Sequence, residues 1–308
     1  MQVSITGGTG QIAEFVIQQL ERKYDLVLFD RVPPGQNRFQ YEIRHPVVIG
    51  DLTSVEDCQK AVRGSTAVVH LGGIPYPTEL PMPPRPGLPA RKPLPWDETM
   101  KINTMGTFYL LEASRREGVR VVVASTSNCV LGHFDPWRPS GTTFPIKYLP
   151  IDEEHPKDAE DTYSLSKQLQ EEIMHSFARG YGIRCYGIRP ASVIRVERQV
   201  EYARSYRPPT AWTNALNGYV DIRDVSRAFA MCLEAGLAGD LPKFDDYFVN
   251  AADTWSLEDT RDMVARLRPD LALLARDLVG RQSIISAAKA GRAFGWKPEH
   301  SWTEHLPK

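Results

Sequence analysis

A tyrosine and a lysine stand four residues apart, at Tyr163 and Lys167, in the run Asp161-Thr-Tyr-Ser-Leu-Ser-Lys167. Four residues on a helix bring two side chains onto one face. An ammonium beside a phenol stabilises the phenolate, so the spacing predicts a tyrosine pKa lowered from about 10 toward the working range. Such a tyrosine can act as a general base that takes the proton from an alcohol.

A glycine-rich loop near the start of the chain could bind a dinucleotide cofactor that works together with that base. Gly7, Gly8 and Gly10 follow a short apolar run, and a helical pattern begins directly after them. Glycines at this point let the backbone approach a pyrophosphate, and the following helix N-terminus offers unpaired N–H groups. Ala13 replaces the last glycine of the usual fingerprint and still permits close helix–sheet packing. The loop therefore predicts a bound dinucleotide.

Asp30 ends the second apolar run and selects between the two nicotinamide dinucleotides. A carboxylate about 20 residues beyond the loop accepts both ribose hydroxyls and repels a 2′-phosphate, which predicts NAD rather than NADP. Arg31 follows immediately and could moderate that preference. In the alternative interpretation, Asp30 only opens the turn before Pro33-Pro34-Gly35.

The bulk composition excludes several classes of protein. The 308 residues include 37 Lys+Arg and 38 Asp+Glu, so no overall basic field favours nucleic acid or an anionic membrane. No apolar run approaches the roughly 20 residues that span a bilayer. Because Met1 leads straight into the glycine loop, we expect no signal peptide. We expect a cytoplasmic protein with reduced thiols and no metal site, because its four cysteines form no CxxC pair.

Short apolar runs alternate with helical patterns over the first 130 residues, and a helix around Tyr163 and a sixth strand follow, which predicts a doubly wound parallel sheet with helices on both faces. Strands are predicted at 3–6, 26–30, 47–50, 67–71, 119–124 and 184–189, with helices at 12–22 and 96–117 and around Tyr163. We assign 1–190 to the dinucleotide-binding domain and 191–308 to a smaller substrate-binding lobe. That lobe is interleaved with a helix and a strand of the sheet at about 219–250. Further helices are predicted at 255–268 and 284–294.

One segment interrupts the alternation. Residues 75–95 include nine prolines among 21 residues, and proline lacks a backbone donor and fixes φ. The segment leaves the fourth strand at the carboxyl edge of the sheet, where open α/β folds bind ligands. A lid, a subunit contact and a neutral surface insertion all remain open.

Several short motifs, taken in order, resemble the extended short-chain dehydrogenase/reductase family, also called the NAD-dependent epimerase/dehydratase family. They are Thr6-Gly-Gly-Thr-Gly10, Gly50-Asp51-Leu52, His70-Leu-Gly-Gly73, Asn103-Thr-Met-Gly106-Thr107, Ser125-Thr-Ser127, Tyr163-Ser-Leu-Ser-Lys167 and Arg189-Pro190. The resemblance implies a Rossmann-type fold and a homodimer in which the Tyr163 helix and the helix before the fifth strand pair across a two-fold axis. The apolar residues Leu165, Leu169 and Ile173 are compatible with that pairing.

The resemblance also implies roles for individual residues. Ser127, Tyr163 and Lys167 would form the catalytic set, and Asn103 would position a helix or a water. Ser127 would hold the substrate oxygen, and Lys167 would bridge the nicotinamide ribose. The implied NAD contacts are Gly7, Gly10, Gln11, Ile12, Asp30, Asp51, Leu52, Leu71, Gly72, Gly73, Tyr163, Lys167 and Pro190.

The substrate is less defined. Leu131 stands where the sugar-nucleotide epimerases of this family usually carry tyrosine, whereas Ser127-Asn128 and Tyr206-Arg207 look similar to NAD-dependent uronate dehydrogenases. That local similarity implies substrate contacts from Ser127, Asn128, Ser192 and Arg207, because an arginine fork can bind a sugar carboxylate. Arg204 and Arg195 are further candidates, and Arg207 could equally be a solvated surface residue.

Three functions follow as hypotheses. The first is an NAD-dependent dehydrogenase acting on a hydroxyl of a sugar or sugar acid. The second is an epimerase of sugars or nucleotide sugars that keeps NAD bound and returns the hydride. The third is a non-catalytic nucleotide-sensing scaffold, since a fold can outlive its chemistry.

Overall fold

A computed structural model describes residues 1–36, 39, 41–81, 93–212 and 216–307 of the chain. In this part of the chain, a seven-stranded sheet has the order β3-β2-β1-β4-β5-β6-β9, and every neighbouring pair is parallel. Its strands are β1 Gln2–Thr6, β2 Asp25–Asp30, β3 Val47–Ile49, β4 Ala67–His70, β5 Val121–Ser125, β6 Arg184–Pro190 and β9 Phe244–Val249. The predicted doubly wound sheet is confirmed.

Helices cover both faces of the sheet, which leaves the central strands buried on both sides. One face carries α1 and α7, and the other carries α2, α4 and α5. The helices are α1 Gln11–Leu20, α2 Val55–Val62, α3 Glu98–Met100, α4 Gly106–Arg116, α5 Thr162–Tyr181, α6 Val196–Arg204, α7 Ile222–Ala238, α8 Thr260–Leu267 and α9 Ala288–Phe294. A π-helical turn, Lys101–Met105, joins α3 to α4.

Beyond β6 the chain builds a smaller region with its own apolar clusters. A two-stranded parallel sheet pairs β7 Ser192–Ile194 with β8 Tyr219–Asp221. Tyr202, Tyr219, Trp255 and Trp302 pack ring against ring beside it. The assignment of 1–190 and 191–308 to two domains stays a prediction.

The predicted elements differ from the observed ones mainly in this C-terminal region. The helix predicted at 255–268 begins only at Thr260, because Trp255 packs into the aromatic cluster and Asp259 caps the helix. The helix predicted at 284–294 begins at Ala288, because Ile285 forms a bridge with Ile151. Helix α6 was not predicted within the arginine-rich stretch 195–207.

Two further features concern the chain as a whole. The middle of the proline-rich segment, residues 82–92, lies outside the described residues. No helix in the part that the structure describes is long and apolar enough to cross a membrane.

Candidate functional site

A cleft opens at the carboxyl ends of β1, β2 and β4, where open parallel sheets bind ligands. The residues that line it are Gly7, Gly10, Phe29, Asp30, Arg31, Gly50, Asp51, Leu52, Leu71, Gly72, Gly73, Ile74 and Ile102. Eight of them are predicted NAD contacts. The apolar walls Phe29, Ile74 and Ile102 were not predicted, because a buried strand residue and a helix residue carry no local sign of lining a cleft.

The glycine loop is shaped by close backbone contacts. Gly7 has a φ of +64°, and a Cβ there would lie 2.8 Å from the Gly72 nitrogen. The Gly10 N–H donates to the Gly7 carbonyl at 2.9 Å, which closes the turn. Gly10 is also the N-cap of α1 and provides no side-chain cap, so Gln11 and Ile12 begin a helix whose first amides can receive an anion. The loop therefore fits a dinucleotide pyrophosphate.

Asp30 is fixed at the end of β2 by two backbone donors. Its Oδ2 accepts from the Thr9 N–H and its Oδ1 from the Val32 N–H, both at 3.0 Å. Each carboxylate oxygen keeps a second lone-pair direction for a ribose hydroxyl. Arg31 is half-exposed and pairs with Glu98 at 3.7 Å, so part of its charge is engaged by protein.

A directed chain of hydrogen bonds runs beneath the cleft. The Gly72 N–H donates to Thr6 Oγ1 at 3.1 Å, so the Thr6 hydroxyl proton points to His70 Nδ1, 2.6 Å away. On the other side, the Thr107 hydroxyl donates to the Asn103 carbonyl at 2.6 Å and accepts from His70 Nε2 at 3.1 Å. The bonding pattern assigns a neutral, Nε2-protonated ring, and burial lowers the pKa of His70 to about 3.

Asn103 joins the loop of residues 71–73, which follows β4, lines the cleft and is called the cofactor loop below, to helix α5. Its Oδ1 accepts from the Ile74 N–H at 2.7 Å, and its Nδ2 donates to the Ile74 carbonyl at 2.9 Å and to Ser166 Oγ at 3.0 Å. The Ser166 hydroxyl in turn donates to the Tyr163 carbonyl at 2.8 Å. Asn103 lies in the π-helical turn, a form that often marks functional sites.

Ser127, Tyr163 and Lys167 come together at the carboxyl end of β5. All three residues are more than nine-tenths buried. The Lys167 ammonium donates to the Ser125 carbonyl at 2.9 Å and to Gln170 Oε1 at 3.1 Å, and it lies 5.9 Å from the centre of the Tyr163 ring. The predicted serine, tyrosine and lysine are therefore neighbours in space.

The predicted direction of the tyrosine pKa is wrong for this structure. Burial raises the pKa of Tyr163 above its usual 10, although the Ser127 hydrogen bond acts against the increase. Burial also lowers the pKa of Lys167 to about 8. Loss of hydration outweighs the ammonium here, because the amine is bonded to Ser125 and Gln170 rather than to the phenol oxygen.

A buried ion network involves helix α5 one turn beyond Lys167. Glu171 and Arg189 form two hydrogen bonds of 2.7 and 2.9 Å, and both side chains are almost fully buried. Lys157 pairs with Glu171 at 2.7 Å, and Asp246 pairs with Arg189 at 2.7 Å. Burial acts to raise the pKa of Glu171, but Arg189 and Lys157 together hold it below its usual value, whereas burial raises the pKa of Asp246 to about 7. The network attaches α5 to β6 and β9.

The remaining predicted residues are more dispersed. Asn128 is buried directly after Ser127, and Pro190 is buried at the end of β6 opposite Val249. Ser192 is exposed at the start of β7. Arg207 is exposed and donates to the Tyr206 carbonyl at 2.8 Å, so its contact with a substrate stays a prediction.

Two of the arginine candidates differ in environment. Arg195 is committed to Glu14 of α1 at 2.8 Å and packs over Phe15. Arg204 is exposed at the end of α6. Neither observation places a guanidinium beside Tyr163.

Trp137 was missed by the sequence analysis. It follows the Ser127 segment in a short 3-10 turn, and its ring meets the Tyr163 ring edge-on at 5.6 Å. Arg138 holds this turn by donating to the carbonyls of Gly132 and Asp158, both at 2.9 Å. A tryptophan in a stretch without periodicity gives no local signal for such a position.

The fold and the cleft define a dinucleotide-binding α/β protein of the short-chain dehydrogenase/reductase type. A family model described as NAD dependent epimerase/dehydratase family matches residues 87–244, and one described as NAD(P)H-binding matches residues 7–164. Because the first match spans more than half of the chain, this protein belongs to the NAD-dependent epimerase/dehydratase family. Members of the family are NAD-dependent enzymes, and the cofactor prediction is confirmed at that level.

Individual relatives differ in activity. A UDP-glucose 4-epimerase of Corynebacterium glutamicum is 24% identical over 330 aligned positions, which include 98% of this chain and 92% of the relative. A uronate dehydrogenase of Pseudomonas syringae is 27% identical over 146 residues, 47% of this chain and 43% of the relative. The structure of a Thermus thermophilus UDP-glucose 4-epimerase in complex with NAD superposes with a TM-score of 0.65, 20% identity and coverage of 99% and 96%.

Proposed function

We propose that this protein transfers hydride between NAD and a hydroxyl of a sugar or sugar acid, with Tyr163 as the proton acceptor. The observation that carries the proposal is the buried group of Ser127, Tyr163 and Lys167 beside a cleft lined by the glycine loop and Asp30. A proton acceptor next to a dinucleotide site is what the oxidation of an alcohol requires.

The cofactor would be held by the residues that fit it. The first amides of α1 would bind the pyrophosphate, and Asp30 would accept from the adenosine ribose hydroxyls. When bound, NAD supplies the hydride acceptor. Gly72 and Gly73 line the cleft, and a Cβ on Gly73 would lie 2.9 Å from Asn103 Oδ1, so a glycine at this position lets Asn103 keep its hydrogen bonds.

The chain's own residues would manage the proton. Ser127 would donate a hydrogen bond to the substrate oxygen, and Tyr163 would remove the hydroxyl proton. The Lys167 ammonium would stabilise the Tyr163 phenolate that accepts this proton, because an opposite charge nearby favours the ionised form. Because burial raises the pKa of Tyr163, we expect the rate of oxidation to increase with pH.

A substrate panel tests the proposal. The purified protein is mixed with NAD and with aldoses and hexuronates, and NADH absorbance is followed; the Tyr163→Phe variant is the matched control. We expect NADH with at least one sugar for the wild-type protein and none above background for the variant. Activity of equal size in the variant would refute the role of Tyr163.

A second candidate, an epimerase that retains NAD, is favoured by one comparison. The Corynebacterium glutamicum epimerase aligns with 98% of this chain, whereas the uronate dehydrogenase aligns with 47%. The same residues would serve both reactions. NAD that stays bound through gel filtration, together with conversion of one sugar epimer into another without free NADH, would decide for the epimerase.

We also propose that the protein forms a homodimer through α4 and α5. Met105, Phe108 and Leu165 are large apolar side chains that stay about two-fifths exposed on this side of the molecule. Phe108 packs edge-on against Phe177 of α5, so the two helices present one joint surface. Phe108→Glu should shift the mass measured by light scattering from dimer to monomer, and an unchanged dimer would contradict the proposal.

A further inference from the structure

The beginning of the proline-rich segment, together with Ile74 before it, is hydrogen-bonded to Asn103 and to the N-terminus of α5. Residues 74–79, called the 74–79 strip below, leave the cofactor loop at Gly73 and run toward the N-terminus of α5. At its first end, both backbone polar groups of Ile74 are bonded by the Asn103 side chain, at 2.7 and 2.9 Å. The strip therefore begins as part of the cofactor site.

The middle of the strip is bonded to the start of α3. The Thr99 hydroxyl donates to the Tyr76 carbonyl at 2.8 Å, and the Thr99 N–H donates to Thr78 Oγ1 at 3.2 Å. The Thr78 hydroxyl donates to the Trp96 carbonyl at 2.9 Å. These hydrogen bonds attach the strip to Trp96 and Thr99, which follow the proline-rich segment in the sequence.

The last residue of the strip, Glu79, accepts two hydrogen bonds from Thr162, the first residue of α5. Its Oε1 accepts from the Thr162 N–H at 2.8 Å, and its Oε2 accepts from the Thr162 hydroxyl in a short hydrogen bond. Thr162 begins α5 and immediately precedes Tyr163. Both oxygens of one carboxylate are thus committed to the residue next to the proposed base.

A second carboxylate, that of Asp161, caps the N-terminus of α5. Asp161 is the N-cap, and its oxygens accept from the Ser164 N–H at 2.8 Å and from the Ser164 hydroxyl at 2.6 Å. An N-cap already satisfies the helix locally, so helix formation does not require Glu79. What Glu79 adds is an attachment to a part of the chain 83 residues away.

We propose that Glu79 is a positioning residue that fixes the first turn of α5, and with it Tyr163, against the cofactor loop. The inference rests on the proposed function of Tyr163. Two acceptor oxygens on one side chain are needed to receive the N–H and the O–H of Thr162 together, and glutamine offers only one. The strip connects the hydrogen bonds between Glu79 and Thr162 to Asn103, which is itself hydrogen-bonded to α5 through Ser166.

Three variants test the role. Glu79→Ala removes both bonds to Thr162, Glu79→Gln leaves one acceptor, and Thr162→Val removes only the hydroxyl bond. Asp262→Ala is the matched control, because Asp262 is an exposed carboxylate in the first turn of α8. Each protein is measured by hydrogen exchange of the first-turn amides of α5, by the Kd for NAD, and by kcat and KM with the best sugar of the panel.

We expect exchange at Thr162, Ser164 and Leu165 to accelerate by roughly 5- to 30-fold in Glu79→Ala and by less in the other two variants, in line with the bonds lost. We expect kcat to decrease by about 10-fold or more in Glu79→Ala with an NAD Kd within twofold of wild type, because misplacing a reacting group costs rate. Asp262→Ala should change neither quantity.

Unchanged exchange at the start of α5 in Glu79→Ala, or an increase spread evenly over all helices, would overturn the proposal. The exchange measurement needs no substrate, so it still decides if no sugar is turned over, a result that would instead contradict the proposed function. If Glu79→Ala does not fold, Thr162→Val gives the same test, and unaltered exchange and kcat in that variant count against the role.

Discussion

Replacing Gly7 with alanine should separate the glycine loop's role in NAD binding from ordinary backbone strain. Gly7 has a φ of +64°, and a methyl group there would lie 2.8 Å from the nitrogen and 2.9 Å from the Cα of Gly72. Those atoms are backbone of the opposite wall of the cleft, so they cannot rotate away as a side chain would. Either Gly7 or the segment around Gly72 must move.

Gly35 provides the matched control. Its φ is +81°, and a Cβ there would meet nothing within 4 Å among the residues that the structure describes. Gly35→Ala should therefore cost only the left-handed backbone term, about 1–2 kcal/mol. Gly7→Ala should cost that amount and a further ~1–3 kcal/mol for the overpacked contact. If displacement of the glycine loop removes two hydrogen bonds from backbone N–H groups to a phosphate, at about 1.5–3 kcal/mol each, the NAD Kd increases by at least about 100-fold.

Urea denaturation gives the free energy of unfolding of the three proteins, and calorimetry gives the Kd for NAD. We expect the Gly7 variant to be the less stable of the two variants and to bind NAD very weakly, while the Gly35 variant binds NAD like wild type. Equal destabilisation by the two substitutions, with NAD affinity preserved in both, would refute the close-approach argument.

Tyr163→Phe should reduce kcat/KM by about 100-fold or more and leave the NAD Kd within threefold, because it removes a proton acceptor and little contact area. Asp30→Ala should lower the preference for NAD over NADP by about 10- to 100-fold, measured as a ratio of kcat/KM values, since a ribose acceptor and a repulsive charge are lost together. Burial lowers the pKa of His133 to about 4, below its unfolded value, so the unfolded chain binds the extra proton and acid removes stability. From pH 7 to pH 5, wild type should lose about 2 kcal/mol of unfolding free energy relative to His133→Gln. An equal pH dependence in both proteins would contradict the buried neutral imidazole.

The parallel sheet could be predicted because its central strands are buried on both faces and are therefore mostly apolar. The strands β4, with Ala67-Val-Val-His70, and β5, with Val121-Val-Val-Ala-Ser125, show this directly. The glycine loop and Asp30 were also predictable, since the backbone geometry of a βα turn constrains residue types locally. Gly7, Gly10 and Asp30 line one cleft in the structure.

The parts that sequence reasoning missed depend on contacts between distant residues. Trp255 packs against Tyr219 and so delays the start of α8, and Ile285 pairs with Ile151 instead of entering α9. Nothing in the sequence near Tyr163 reports its burial, so the loss of hydration that raises its pKa could not be weighed against Lys167. The position of Trp137 beside the same ring depends on the fold in the same way.

A single-turnover experiment with protein in excess over NAD tests the central claim most directly, because it detects hydride transfer whether the product leaves or is reduced again. NAD and the sugars of the panel are mixed with wild type and with Tyr163→Phe, and absorbance of the reduced nicotinamide is followed. We expect a sugar-dependent signal that grows faster at higher pH in wild type and is absent in the variant. A wild-type protein that binds NAD and never reduces it with any sugar, or a variant that reduces it equally well, would contradict the account.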